Sequence, residues 1–114
     1  MKKNLYIVGA GDFGREMESW LELLPNFNNE YSIIGYLDDN CESLQGKPSD
    51  YKVLGSPLNY EFSKNDYVLL TISDPQIRKN IVDSLFGKVN LFSYVSPDVI
   101  IGKYTKVGNG TIIC

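Results

Sequence analysis

Residues 4–14 read NLYIVGAGDFG, an apolar run of strand-forming residues that leads directly into the spacing Gly-x-Gly-x-x-Gly. We predict a β-strand for the apolar run. Residues 13–24 then carry apolar side chains at helical spacing up to Pro25, so a helix is predicted there. A strand, a glycine-rich turn and a helix in this order are typical of the first βα unit of a Rossmann-type domain.

Each glycine of this loop has its own expected task. Gly9 permits the tight turn, Gly11 lets a diphosphate approach the backbone, and Gly14 lets the helix pack closely on the strand. The unpaired N–H groups at the start of the helix favour an anion, so we predict a site for a nucleotide-type ligand. Its candidate residues in the loop are Gly9, Gly11, Asp12, Phe13 and Gly14. A tight strand–helix turn without a ligand is the alternative, because the Asp12 carboxylate is unfavourable near a phosphate unless it points away or bonds the sugar.

The chain continues as alternating strands and helices. Strand-like runs lie at 31–37, 51–54, 67–72 and 89–95, a polar loop covers 40–50, and a helix is predicted over 75–86. Asp74 and Pro75 have the residue types of a helix start. This alternation predicts the α/β class, with a small Rossmann-like parallel sheet and flanking helices over residues 1–94.

Polar residues at the ends of two predicted strands complete the candidate site. Asp38 and Asp39 follow the second strand, where a carboxylate can bond a ribose hydroxyl or a base N–H. An Asp-Asp-Asn turn without a ligand suits the same residues. Ser73 ends the strand beside the expected topological switch of the sheet, and Arg78 follows one helical turn later. Arg78 is predicted to contact a phosphate or a carboxylate of the ligand, or alternatively to form an ion pair with Asp74.

The last residues follow a different period. Val95, Ile101, Val107 and Ile113 recur at every sixth position, and a glycine follows two of them directly. A six-residue period predicts the first coil of a hexapeptide-repeat β-helix over residues 95–114. A β-hairpin that turns at 108–110 is the alternative. A lone coil has no neighbouring coil, so residues from about 100 onward are expected to be frayed or ordered only by another copy.

Composition excludes several functions. The net charge of −3 argues against a nucleic-acid surface, and the absence of histidine excludes Ser-His-Asp and Cys-His catalysis within these 114 residues. No apolar stretch has the length of a membrane span. Cys41 and Cys114 form neither a metal-binding pattern nor a disulfide framework, so we expect no metal site and a cytoplasmic protein with reduced thiols.

The order of these motifs resembles a known family over the whole chain. GAGDFG, a strand ending in LDD, a strand ending in TISDP, and YVSPDVIIG before the hexapeptide repeats are similar to the bacterial sugar O-/N-acyltransferases of the sialic acid O-acetyltransferase and PglD-like type. The resemblance implies that the repeats belong to a left-handed β-helix. It further implies a homotrimer that binds acetyl-CoA between subunits, with a β-helix histidine as general base.

For this chain the resemblance implies a substrate-binding domain for a nucleotide-activated sugar of the UDP-sugar type. The loop from Gly9 to Gly14 would contact the sugar and the diphosphate, Asp38 and Asp39 would hold the uridine end, and Ser73 and Arg78 would complete the pocket. No catalytic residue is predicted here, because the family's histidine lies in later coils, and acetyl-CoA is not expected to bind these residues. An NAD-binding Rossmann module of an oxidoreductase or regulator, and a scaffold domain without a ligand, remain the alternatives.

Overall fold

A five-stranded parallel sheet forms the centre of the structure, a computed structural model that describes residues 2–103 and 105–114. The strand order is β3-β2-β1-β4-β5, and every pairing in this sheet is parallel. The strands are β1 (Lys3–Val8), β2 (Tyr31–Leu37), β3 (Val53–Gly55), β4 (Asp66–Leu70) and β5 (Asn90–Leu91). The helices are α1 (Asp12–Glu22), α2 (Phe27–Glu30) and α3 (Pro75–Leu85). The predicted α/β class with a Rossmann-like parallel sheet is confirmed.

Both faces of the central strand β1 are buried, because its side chains alternate between two apolar clusters. Leu5 and Ile7 are fully buried in the first cluster, which includes Met17 of α1. Val8 lies in the second cluster with Ile81 of α3. Burying one such side chain stabilises a fold by roughly 1.5–3 kcal/mol. The two-sided burial explains why β1 and β4 read as continuous apolar runs.

Helices α1 and α3 begin in different ways. Asp74 caps α3, since its carboxylate accepts from the backbone N–H groups of Gln76 and Ile77 at 2.9 and 3.2 Å. This confirms the predicted helix start at Asp74 and Pro75. Helix α1 has Gly11 at its N-cap and no side-chain cap. The first N–H groups of α1 are therefore open to a ligand, whereas those of α3 are already bonded.

The prediction of one continuous strand over 89–95 is wrong. Strand β5 ends after two residues, and β6 (Tyr94–Val95) belongs to a separate two-stranded sheet with β7 (Ile112–Ile113). The change occurs around Ser93, whose hydroxyl donates to the carbonyl of Gly108 at 3.0 Å and accepts from the N–H of Thr111 at 3.2 Å. Residues 93–95 thus form their hydrogen bonds with the C-terminal segment instead of continuing β5 in the main sheet. Helix α2 was not predicted.

The end of the C-terminal segment, residues 95–114, forms a short sheet with the residues at which the segment starts. Tyr94 and Val95 pair in parallel with Ile112 and Ile113, which lie three six-residue repeats further along. The hairpin alternative is not found among the described residues, because Ile112 and Ile113 pair with Tyr94 and Val95 and not with the residues directly before 108–110. The described residues hold this one pairing and no coil stacked on it, so a β-helix is not visible and its start stays a prediction.

The C-terminal segment also contacts the first 94 residues. The carbonyl of Gly110 accepts a hydrogen bond from the Arg78 guanidinium, and Gly110 is buried. Ile100 and Ile101 are exposed. These contacts come from the chain itself, and the expectation that residues from about 100 onward are frayed or ordered only by another copy stays a prediction. Within the described ranges, no helix has the length and apolar character that a membrane span requires.

Candidate functional site

The glycine loop lies where the predicted fold requires it, at the carboxyl end of β1. Gly9 has φ +104°, a left-handed conformation that favours glycine. A Cβ on Gly14 would lie 2.0 Å from the carbonyl oxygen of Gly9, so the helix can approach the strand only with glycine there. Around Gly11 a Cβ would meet nothing within 4 Å. Folding therefore explains Gly9 and Gly14, whereas the open space at Gly11 is available to a ligand.

Thr71 holds this loop and was missed by the sequence interpretation. It is buried just beyond the end of β4, and its hydroxyl lies 2.8 Å from the carbonyl oxygen of Val8 and 3.0 Å from that of Gly9. A Cβ on Gly9 would meet the same hydroxyl at 2.8 Å. The only signal in the sequence was a threonine at the end of an otherwise apolar strand, which does not reveal where its hydroxyl points.

Asp38 fastens the loop from the other side. Its Oδ2 accepts from the backbone N–H of Ala10 at 2.8 Å, and its Oδ1 accepts from the N–H of Asn40 at 2.9 Å. Both oxygens are thus engaged by the backbone of this domain. Carboxylate oxygens have further lone pairs, so contact with a ligand is possible, but the first task of Asp38 is to hold the loop against β2.

Asp39 and Asp12, two other predicted site residues, lie on the surface. Asp39 accepts from the Ser56 hydroxyl at 2.5 Å and is exposed. Asp12 forms an ion pair with Arg15, one helical turn later. It lines a depression of about 610 Å³ between α1 and residues 48–50, together with three other acidic residues. The charge of Asp12 is thus paired with a cation of its own helix, which reduces the expected conflict with a phosphate.

A cleft of about 460 Å³ opens at the topological switch between β1 and β4, which we call the switch-point cleft. Phe13, Ile72 and Arg78 line it on the side of the main domain. Its other wall is the C-terminal segment, through residues 109–112 and Cys114. Ser73 is exposed at the end of the loop that follows β4. The volume is that of a small-molecule site, and ligands of open α/β sheets bind at this position.

A partly buried hydrogen-bond network around Tyr36 was also not predicted. The Tyr36 hydroxyl donates to Glu18 Oε1 at 2.7 Å, and the same oxygen accepts from the Ser49 hydroxyl at 2.6 Å. Burial raises the pKa of Tyr36, and the hydrogen bond to Glu18 raises it further. The network ties α1 to the loop before β3, and Glu18 and Ser49 also line the depression beside α1.

The uncapped N–H groups at the start of α1 and the Arg78 guanidinium are groups that can bind an anion. The 114 residues contain no histidine. In the part of the chain that the structure describes, no cluster of three His, Cys, Asp or Glu residues is placed to hold a metal ion. The uncapped start of α1 and the open space at Gly11 lie in the glycine loop, and Arg78 lines the switch-point cleft together with Phe13 of the first turn of α1. The individual roles of these residues remain predictions.

Fold and loop together define a Rossmann-type α/β domain with a glycine-rich strand–helix turn. Residues 4–85 match the family described as the PglD N-terminal domain, and the chain belongs to that family. The resemblance found in the sequence is therefore confirmed.

Known relatives are longer than this chain. A UDP-N-acetylbacillosamine N-acetyltransferase of Bacillus subtilis (strain 168) is 25% identical over 116 aligned positions, which cover 97% of this chain and 51% of that protein. Two structures of the acetyltransferase domain of PglB from Neisseria gonorrhoeae FA1090 superpose with a TM-score of 0.74 and show the same fold. They are 22% and 21% identical, cover 98% and 97% of this chain, and the first is in complex with acetyl coenzyme A. The chain spans about half the length of these relatives.

Proposed function

We propose that this chain is the substrate-binding domain of an acetyl-CoA-dependent sugar acetyltransferase and that its ligand is a UDP-sugar. The observation that carries the proposal is the uncapped start of α1, whose first turn reaches the switch-point cleft through Phe13. Gly11 leaves space for a diphosphate, and Arg78 supplies a positive charge to the lining of the cleft. Family membership supports the sugar nucleotide, because the curated relative is named for a UDP-linked amino sugar.

The chemistry of acetyl transfer is proposed to reside outside these 114 residues. A sugar amine or hydroxyl must lose a proton to attack a thioester, and histidine is the usual base for that step near neutral pH. This chain has none. We propose that residues 95–114 begin a left-handed β-helix, that the complete protein binds acetyl-CoA, and that it acts as a homotrimer. Cys41 and Cys114 are exposed and unpaired, which fits the cytoplasm as its location.

An NAD-binding module is the second candidate. In such modules the acidic residue after the second strand bonds the ribose hydroxyls. Both oxygens of Asp38 accept backbone N–H groups here, from Ala10 and Asn40, and this constraint applies to a uridine ribose and to an NAD ribose alike. The glycine loop would also suit either nucleotide, so family membership is what favours the UDP-sugar.

Calorimetry with UDP-N-acetylglucosamine, UDP and NAD tests the proposal. We expect heat from both uridine compounds and none, or much weaker binding, from NAD. A Gly11→Ala variant should lose most of the uridine binding, because its Cβ would occupy the space next to the diphosphate. Tight NAD binding without a response to UDP would reverse the assignment, and no binding of any nucleotide would favour a scaffold domain.

A further inference from the structure

Arg78 connects the main domain to the C-terminal segment. It lies in the first turn of α3, and its Nη2 donates to the carbonyl oxygen of Gly110. Gly110 is buried with φ +79°, and a Cβ there would lie 3.3 Å from the Leu91 side chain. Gly110 is therefore packed between the Arg78 guanidinium and the Leu91 side chain. The bond from Arg78 fixes the position of the segment relative to α3 and β5.

The same segment forms one wall of the switch-point cleft. Asn109, Thr111 and Ile112 face Phe13 and Ile72 across it. A molecule in the cleft consequently touches both the glycine-loop side and the C-terminal segment. Any ligand that gains contacts from the docked segment must also favour its docking, because coupling between two equilibria is reciprocal.

The charge of Arg78 is available to a ligand. A guanidinium carries five N–H donors in a fixed plane, and a single carbonyl oxygen uses only part of them. The ion pairs that the structure describes are Arg15 with Asp12 and Lys79 with Asp83, so within those residues Arg78 has no carboxylate partner. Its nearest acidic neighbour along α3, Asp74, caps the helix through Oδ1. The bond to Gly110 thus holds the guanidinium in place while donors remain free.

We propose that Arg78 is a positioning residue that couples ligand binding to the docking of the C-terminal segment. One part of its guanidinium holds Gly110, another part binds an anionic group of the ligand, and each contact orders the side chain for the other. This inference rests on the proposed function, because the anion is taken to be the diphosphate of a UDP-sugar. Its consequence is that a bound ligand fixes the position of the C-terminal segment relative to the main domain.

Amide hydrogen exchange of the full chain, with and without saturating UDP-N-acetylglucosamine, tests this coupling. We compare the wild type with Arg78→Met, which keeps the length and loses all donors, and with Arg78→Lys, which keeps the charge without the planar fork. Lys79→Met is the matched control, because Lys79 is exposed and pairs with Asp83 on the same helix. Exchange in β4 reports whether each variant remains folded.

Without ligand, Arg78→Met should accelerate exchange at residues 107–113 and leave β4 unchanged, whereas Lys79→Met should change neither. With ligand, exchange at 107–113 of the wild type should slow by at least about 5-fold, the lower end of typical coupling between sites. In Arg78→Met the ligand should bind more weakly and slow only the glycine loop. Arg78→Lys should recover part of the affinity but not the slowing at 107–113.

Four outcomes would overturn the inference. Unchanged exchange at 107–113 in ligand-free Arg78→Met would show that Arg78 does not dock the segment. Slowing confined to residues 9–14 of the wild type would remove the coupling and leave the proposed function intact. Full coupling in Arg78→Lys would show that charge alone suffices and would contradict the shared guanidinium. If the ligand slows no segment, the proposed function fails together with the coupling, and the ligand-free comparison still decides the docking role.

Discussion

Gly11 and Gly14 differ in what they contribute, and replacing each with alanine separates folding from ligand binding. In Gly14→Ala the new Cβ would lie 2.0 Å from the carbonyl oxygen of Gly9 and 3.1 Å from the Thr71 hydroxyl. Normal contact needs more than an additional ångström, so α1 or the loop must move. The loop is held by bonds from Thr71 and to Asp38, which resist that movement.

The expected magnitude follows from two opposing effects. Alanine favours a helix over glycine by up to about 1 kcal/mol. Overpacking of a well-filled site destabilises by roughly 1–3 kcal/mol, and by more where backbone blocks backbone. We therefore expect Gly14→Ala to lower the free energy of unfolding by about 2 kcal/mol or more. Helix and strand must separate, since no side-chain rotation relieves a contact with a carbonyl oxygen.

Gly11→Ala is the matched control in the same loop. Its Cβ meets nothing within 4 Å, and its φ of −80° is accessible to alanine. The loss of a good N-cap residue and the lower entropy of the unfolded chain act in opposite directions, each by less than about 1 kcal/mol. The stability of Gly11→Ala should consequently stay within about 1 kcal/mol of the wild type.

Urea unfolding followed by the fluorescence of Trp20 measures both variants, and calorimetry with UDP-N-acetylglucosamine measures binding. The reasoning requires a lower midpoint for Gly14→Ala, and a wild-type midpoint with weakened binding for Gly11→Ala. Equal midpoints for Gly14→Ala and the wild type would refute the packing argument. Undiminished binding by Gly11→Ala would refute the position of the diphosphate at the loop.

Three further predictions concern stability, pH and activity. Asp38→Ala should lower the free energy of unfolding by about 2 kcal/mol, because two backbone N–H groups lose a charged acceptor. Asp39→Ala, the control, should change the free energy of unfolding by less than about 0.5 kcal/mol. The midpoints of urea unfolding compare the two variants. The pKa values of Tyr6 and Tyr36 are raised by burial, so the unfolded chain loses these protons first and stability should fall above pH 10. Each tyrosine contributes about 1.4 kcal/mol per pH unit until its folded pKa is reached, and Tyr36→Phe should flatten the decline of stability above pH 10. The chain should transfer no acetyl group from acetyl-CoA to a UDP-amino-sugar, and turnover above background in material free of host enzymes would contradict this.

The sequence by itself determined the class of the fold and the position of the loop. Apolar runs such as Leu5 to Val8 must be buried on both faces, and that burial requires a parallel sheet covered by helices. The spacing of Gly9, Gly11 and Gly14 depends on local backbone geometry, so it can be interpreted without knowing any distant contact. The start of α3 at Asp74 was predictable for the same reason, since a cap acts on the residues directly after it.

Tertiary structure alone decided the partners of the polar side chains. Asp38 could hold a ribose or a loop, and only the approach of the Ala10 N–H assigned it to the loop. Thr71 and Arg78 contact residues far away in the chain, Gly9 and Gly110, and no local pattern encodes such pairs. The strand expected over 89–95 divides because the C-terminal segment competes for its hydrogen bonds. Periodicity reports which side chains are buried, whereas the partner of a hydrogen bond depends on which strands and loops the folded chain brings within 3 Å.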